Sequence, residues 1–156
     1  MTKCIVETKI GLLEIAEEEG YIVGISYFDG EKSSFRSDFS PLITDAVKQL
    51  NEYFSGERKI FDLPIKYEAM PFCKRVWDTL QKIPYGQTWT YKDIADMLDK
   101  PKAYRAVGNA CNKNPLLIVV PCHRVVNTNG RLGGFAAGVK IKKSLLDLEK
   151  SSLFIK

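Results

Sequence analysis

The sequence predicts an α+β protein in two parts: a small meander-bearing unit, then a mainly helical one containing a helix-turn-helix of winged-helix-like character. Three observations lead there. The first 30 residues carry apolar runs broken by turn residues at short intervals, as in a β-meander. Beyond Pro71, apolar residues fall at helical spacing. Charge divides along the same line: residues 1–99 hold 12 Lys/Arg and 17 Asp/Glu, whereas residues 100–156 hold 11 and 2. We place the boundary so that 1–67 form the first unit and 68–156 the second.

The meander consists of strands over residues 3–8, 12–17 and 21–28, with turns near Gly11, at Glu19-Gly20 and at Asp29-Gly30. Asp38-Phe39-Ser40-Pro41 then starts a helix whose apolar positions are Ile43, Val47, Leu50 and Phe54, and Gly56 stops it. Residues 57–67 read as a link, with one further strand expected at 59–63. Pro71 opens a helix with the stripe Phe72, Val76, Leu80 and Ile83, closed by Pro84-Tyr85-Gly86. Thr90 caps the next helix with Asp93 in its first turn, and Ile94, Met97 and Leu98 face inward. Asp99-Lys100-Pro101-Lys102 breaks it, and residues 103–111 form a second short helix, so the pair makes a helix-turn-helix. Residues 116–120 read as a buried extended run that Pro121 interrupts. A glycine-rich loop fills 127–138, and Ile141, Leu145 and Leu148 mark a C-terminal helix.

With 156 residues and 45% hydrophobic content, the chain can bury a genuine core. No apolar run reaches the length of a membrane helix, and charges stand where a signal peptide needs its apolar region, so an intracellular, cytoplasmic protein is expected. Cys4, Cys73, Cys111 and Cys122 have no CxxC spacing; reduced thiols and no metal site follow. The net charge of +4 hides an interval between Asp99 and Asp147 without a single acidic residue, through which nine Lys and Arg are spread. Taken alone, that interval fits a solvated surface slightly better than one lying on phosphates.

One short stretch carries chemistry. In Ile-Val-Val-Pro-Cys-His-Arg-Val-Val, residues 118–126, Cys122 adjoins His123, the only histidine of the chain. A free thiol is mostly protonated at neutral pH, so a nucleophilic cysteine needs a base or a positive environment; His123, Lys113, Arg124 and Arg131 supply both in sequence. Cys4, Cys73 and Cys111 have no candidate base close in sequence and read as small core residues. These features fit a cysteine hydrolase as well as any other thiol chemistry, and the helix-turn-helix alone fits a simple DNA-binding module.

Pro121-Cys122-His123-Arg124-Val125 resembles the active-site signature of the O6-alkylguanine-DNA alkyltransferases, also called methylated-DNA–protein-cysteine methyltransferases. Ile83-Pro84-Tyr85-Gly86, Thr90-Tyr91 with Ile94-Ala95, Arg105-Ala106-Val107-Gly108 and Asn114-Pro115 resemble that family in matching order and spacing, over roughly residues 68–150. The resemblance implies single-turnover repair of duplex DNA: the thiolate of Cys122 takes the alkyl group from O6 of guanine and keeps it. It further implies that His123 acts as a base on Cys122 through a water, with Glu149 orienting the imidazole. Arg105 would fill the space left by the flipped base, with Lys102, Ala106 and Arg124 also at the DNA. Tyr91 would crowd the target phosphate and donate a proton toward the leaving guanine, and Asn114 would brace the site. Val125, Phe135, Ala136 and Leu117 would form the guanine and alkyl pocket. Ala136 stands where some members have a hydroxyl, so a bond to O6 there must come from backbone N–H. Some members bind zinc in the first unit, but Cys4 is the only cysteine there. No cofactor and a monomer are expected.

Overall fold

The computed structural model describes residues 1–31 and 39–152; Asp38 of the expected helix start lies outside them. The chain divides into one compact unit of residues 1–67 with 115–117, and another of 68–114 with 118–156. The α+β class is as the sequence predicts.

In the first unit, β1 (Thr2–Thr8), β2 (Gly11–Glu18) and β3 (Tyr21–Tyr27) form an antiparallel sheet in the order β1-β2-β3. The β2–β3 hairpin turns through Glu19 and Gly20, whose φ angles of 52° and 83° are both positive, the requirement of a tight turn that matches strand twist. Helix α1 (Pro41–Phe54) covers the sheet; the Ser40 hydroxyl caps it by accepting the Ile43 N–H at 3.1 Å. Ile5, Leu13, Ile15, Ile22, Ile25, Ile43 and Leu50 fill the core at essentially zero exposure, each worth about 1.5–3 kcal/mol of burial.

The strand expected at residues 59–63 is absent. Instead the Gln49 side chain accepts the Asp62 N–H at 2.8 Å and donates to the Asp62 carbonyl at 2.9 Å, so this backbone is satisfied without a ladder. Strand-like pairing comes slightly later, at the parallel bridge Ile22–Ile65. Residues 116–120 also depart from an extended run. Leu116 bridges to Ile25, then Ile118 takes a φ of +73°, and a β-branched residue in the left-handed region ends any strand.

In the second unit, α2 (Pro71–Leu80), α3 (Tyr91–Met97) and α4 (Tyr104–Asn112) pack around Val76, Leu80, Ile94, Ala95 and Val107. Trp77 Nε1 donates to the Ala110 carbonyl at 2.8 Å, tying α2 to α4. Helix α3 opens with a full capping box: Thr90 Oγ1 accepts the Asp93 N–H at 3.0 Å, and Asp93 accepts the Thr90 N–H at 2.8 Å. Ala95, rather than Met97, joins Ile94 and Leu98 inside, and Met97 is 48% exposed. The short strand β4 (Trp89–Thr90) runs parallel to β5 (Val125–Val126), and α5 (Val139–Ser152) closes the unit. Among the described residues no helix is long and apolar enough to cross a membrane.

Candidate active site

Pro121 ends the irregular run, and Cys122–Arg124 follow as a single 3₁₀ turn leading into β5. This turn lets the two adjacent side chains serve one site, because successive residues on a tight helical turn do not alternate across a sheet as strand neighbours do. Pairing of Trp89 with Val125 and Thr90 with Val126 then brings the start of α3, and so Tyr91, beside the cysteine turn.

Cys122 is 4% exposed. Asn114 Nδ2 donates to its sulfur at 3.1 Å and to the Val120 carbonyl at 2.7 Å, so one amide holds both the thiol and the chain leading to it. Burial pushes the Cys122 pKa up to about 11, against the opposing pull of the Asn114 hydrogen bond and the Lys142 charge. Cys111 is pushed well above the ordinary thiol value by burial. At rest, therefore, Cys122 is a protonated thiol: burial disfavours its thiolate, and the Asn114 hydrogen bond and the Lys142 charge offset only part of that cost.

His123 is fully buried, and its Nε2 lies 2.6 Å from Glu149 Oε2. Burial tends to raise the Glu149 pKa, but His123 and Arg124 outweigh it and hold the carboxyl at about 2. Glu149 is consequently an anion that only accepts, which makes Nε2 the proton-bearing nitrogen. Burial lowers the His123 pKa despite Glu149, so the ring is neutral and Nδ1 carries the lone pair. Nδ1 is buried without a hydrogen-bond partner among the described residues.

Glu149 is the centre of this cluster. Oε1 also accepts Arg124 Nε at 2.7 Å and the Gly86 N–H at 3.0 Å, while Oε2 accepts Arg124 Nη2 at 3.1 Å. Arg124 Nη1 donates to the Ile83 carbonyl at 2.8 Å. Arg124, which the resemblance placed at the DNA, is instead buried: the residue is 7% exposed, and its guanidinium is taken up by Glu149 and the Ile83 carbonyl.

Lys142 belongs to the acid-free interval that reads as a solvated basic surface, yet it is fully buried. Its Nζ donates to the Val125 carbonyl at 2.6 Å and the Gly134 carbonyl at 3.3 Å, and lies 3.5 Å from the Tyr91 hydroxyl. The missed signal was periodicity: Lys142, Leu145, Leu146 and Glu149 recur at helical spacing and form the buried face of α5, whereas Ile141 and Leu148 are only half-buried. Burial first, then the neighbouring thiols Cys111 and Cys122, place the Tyr91 pKa at about 12.

A cleft of about 470 Å³ opens between α3, α4 and the glycine-rich loop, with Tyr91, Tyr104, Arg105, Gly108, Gly133 and Gly134 among its lining residues. Gly133 has a φ of +74°, and a Cβ there would stand 2.8 Å from the Tyr91 hydroxyl, so only glycine lets the loop approach the tyrosine. Lys102, Arg105 and Ala106 are exposed, Phe135 is half-buried, Ala136 is exposed and Val125 is buried. Leu117 does not line this cleft: it is 3% exposed in the first unit, where its N–H donates to the Ile25 carbonyl at 2.9 Å.

The fold and site thus define a helix-turn-helix protein with a buried cysteine, hydrogen-bonded by an asparagine and followed by a histidine locked to a glutamate. The chain belongs to the 6-O-methylguanine DNA methyltransferase family: its DNA-binding domain matches residues 71–151, and its ribonuclease-like domain matches 1–67. Methylated-DNA–protein-cysteine methyltransferase of Methanosarcina barkeri is 42% identical over 96% of this chain and 97% of its own length. The constitutive enzyme of that name from Bacillus subtilis is 42% identical over 94% and 93%. Among solved structures, Mycobacterium tuberculosis OGT in complex with DNA superposes with a TM-score of 0.88 at 37% identity, over 96% of this chain and 93% of that one. An O6-methylguanine DNA methyltransferase from Methanococcus jannaschii gives 0.69 at 30% identity, over 94% and 92%.

Proposed function

We propose that this protein repairs O6-methylguanine in duplex DNA by moving the methyl group irreversibly to Cys122, acting once and without a cofactor. The observation that carries this reading is the 3.1 Å bond from Asn114 to the Cys122 sulfur, next to a neutral His123 whose other nitrogen is bound at 2.6 Å by Glu149. The names of the Methanosarcina and Bacillus relatives support it.

In this reading the target guanine leaves the stack, since no thiol reaches O6 inside a duplex. Arg105 on the exposed face of α4 occupies the vacated place, and Lys102 and Ala106 lie along the backbone. The Cys122 proton passes through a water to His123 Nδ1, and Glu149 stabilises the resulting imidazolium. Sulfur forms a bond to the methyl carbon as the C–O bond breaks, and the electron pair goes to O6. Tyr91 donates a proton toward the base, with Lys142 beside its hydroxyl offsetting the charge. The products are S-methylcysteine and guanine, and the proton held by His123 returns through water to the Tyr91 phenolate, so atoms and charge balance. Val125, Phe135 and Ala136 form the rim and wall of the base pocket. Residues 68–156 act as the DNA-binding and transfer domain and 1–67 as its companion, in a monomer working inside the cell with its thiols reduced.

Incubation with a duplex carrying one O6-methylguanine, followed by intact-mass measurement and peptide mapping, tests this. One added methyl on Cys122, missing in Cys122→Ser, is expected. DNA binding without any mass change would leave a binding module instead.

A further inference from the structure

Tyr104 begins α4, immediately before Arg105, and is 47% exposed. The packing of α4 does not need it. Val107, Ala110 and Cys111 form the buried face, and Trp77 anchors the helix through the Ala110 carbonyl. Gly108, one turn on, faces Tyr91 rather than Tyr104: a Cβ there would stand 3.7 Å from the Tyr91 ring.

The ring lines the same cleft as Tyr91 and Arg105. Lys102 and Arg105 flank it in sequence, both exposed, and no acidic residue occurs between Asp99 and Asp147. An exposed aromatic ring between cations is how proteins hold nucleic-acid bases by their faces while the backbone is held by charge.

We infer that Tyr104 stacks on a base adjoining the one that leaves the duplex, making it a second contact of α4 with the opened site beside Arg105. Tyr104 is a positioning residue: it holds the gapped duplex in register and touches no reacting atom. The inference rests on duplex DNA being the substrate.

The test measures equilibrium binding in the Cys122→Ser background, using a duplex with O6-methylguanine and 2-aminopurine at the neighbouring position. Tyr104→Ala is expected to weaken binding by about five- to 150-fold, the range for losing one base–aromatic stack. The slope of log affinity against log salt stays unchanged, because no cation is lost. Tyr104→Phe keeps both the affinity and the quenched 2-aminopurine emission, whereas Tyr104→Ala brightens it. Tyr104→Leu, which preserves apolar bulk but not a flat ring, behaves like the alanine variant and carries the test if Tyr104→Ala unfolds. Unchanged binding by Tyr104→Ala and Tyr104→Leu, or an equal loss in Tyr104→Phe, overturns the stacking role. Failure of the wild-type protein to gain a methyl group from the same duplex would instead overturn the transfer reading, whatever Tyr104 does.

Discussion

The two units bury different kinds of side chain. In the first, the interior is Ile5, Leu13, Ile15, Ile22, Ile25, Ile43 and Leu50, and Gln49, its buried amide, serves the Asp62 backbone. In the second, His123, Arg124, Lys142 and Glu149 are all buried. Apolar burial stabilises in proportion to area, whereas removing a charge from water costs several kcal/mol that pairing only partly returns. The first unit is built as a core is built; the second gives up stability to hold a neutral imidazole, an anionic carboxylate and a thiol in fixed order.

Glu149→Gln should break this contrast hardest. It leaves Arg124 buried without its counter-charge, for an expected loss of about 3–5 kcal/mol by urea unfolding, and it should also abolish efficient transfer. Ile15→Ala in the first unit should cost about 2–5 kcal/mol yet leave the transfer rate of the folded protein intact. Comparable rates for the two variants would show that the polar cluster is merely structural. The same cluster sets an acid limit. The Glu149 carboxyl lies at about 2 folded against an ordinary 4.5, so its contribution is complete above about pH 5 and lost as pH falls through that interval toward 2. His123, whose pKa is lowered by burial, adds a loss in the same direction starting near the ordinary imidazole value, since the unfolded chain takes up that proton first. Unfolding midpoints measured across pH should therefore decline toward acid, less steeply in Glu149→Gln.

Asn114→Ala removes the hydrogen bond from the Asn114 amide to the Cys122 sulfur. A hydrogen bond to a charged group is worth about 1.5–3 kcal/mol, so transfer should slow by about ten- to 150-fold in single-turnover assays. The thiol pKa, followed by the pH dependence of alkylation, should rise further above its value of about 11. An unchanged pH profile would mean that the amide positions the chain through the Val120 carbonyl alone.

The sequence is most legible where one element determines its own form. The three meander strands, the Thr90 cap and the Cys122-His123 pair follow from neighbours within a few residues. What escaped depends on distant partners. Arg124 looks like a surface cation until Glu149, 25 residues away, and the Ile83 carbonyl, 41 away, are in place. Lys142 looks the same until the Val125 and Gly134 carbonyls surround it. The expected strand at residues 59–63 was displaced by a side chain, Gln49, doing what a neighbouring strand would do. Buried charge is invisible to a hydrophobic pattern because it occupies core positions with residues the pattern assigns to solvent.

The smallest effects separate the units most cleanly. Ser40 and Thr90 both cap helices by accepting the N–H three residues on, at 3.1 and 3.0 Å. Replacing either with alanine should cost about 1 kcal/mol, a similar drop in thermal midpoint for each. Their consequences for chemistry should differ. Ser40 caps α1, which only covers the sheet, so Ser40→Ala should leave transfer unchanged. Thr90 precedes Tyr91, the first residue of α3, whose hydroxyl sits 3.5 Å from Lys142 and closes the cleft against Gly133. Fraying that first turn loosens Tyr91, so Thr90→Ala should slow methyl transfer at temperatures where both variants are fully folded. Equal rates would mean that β4–β5 pairing and Lys142 hold the tyrosine without help from the capping box.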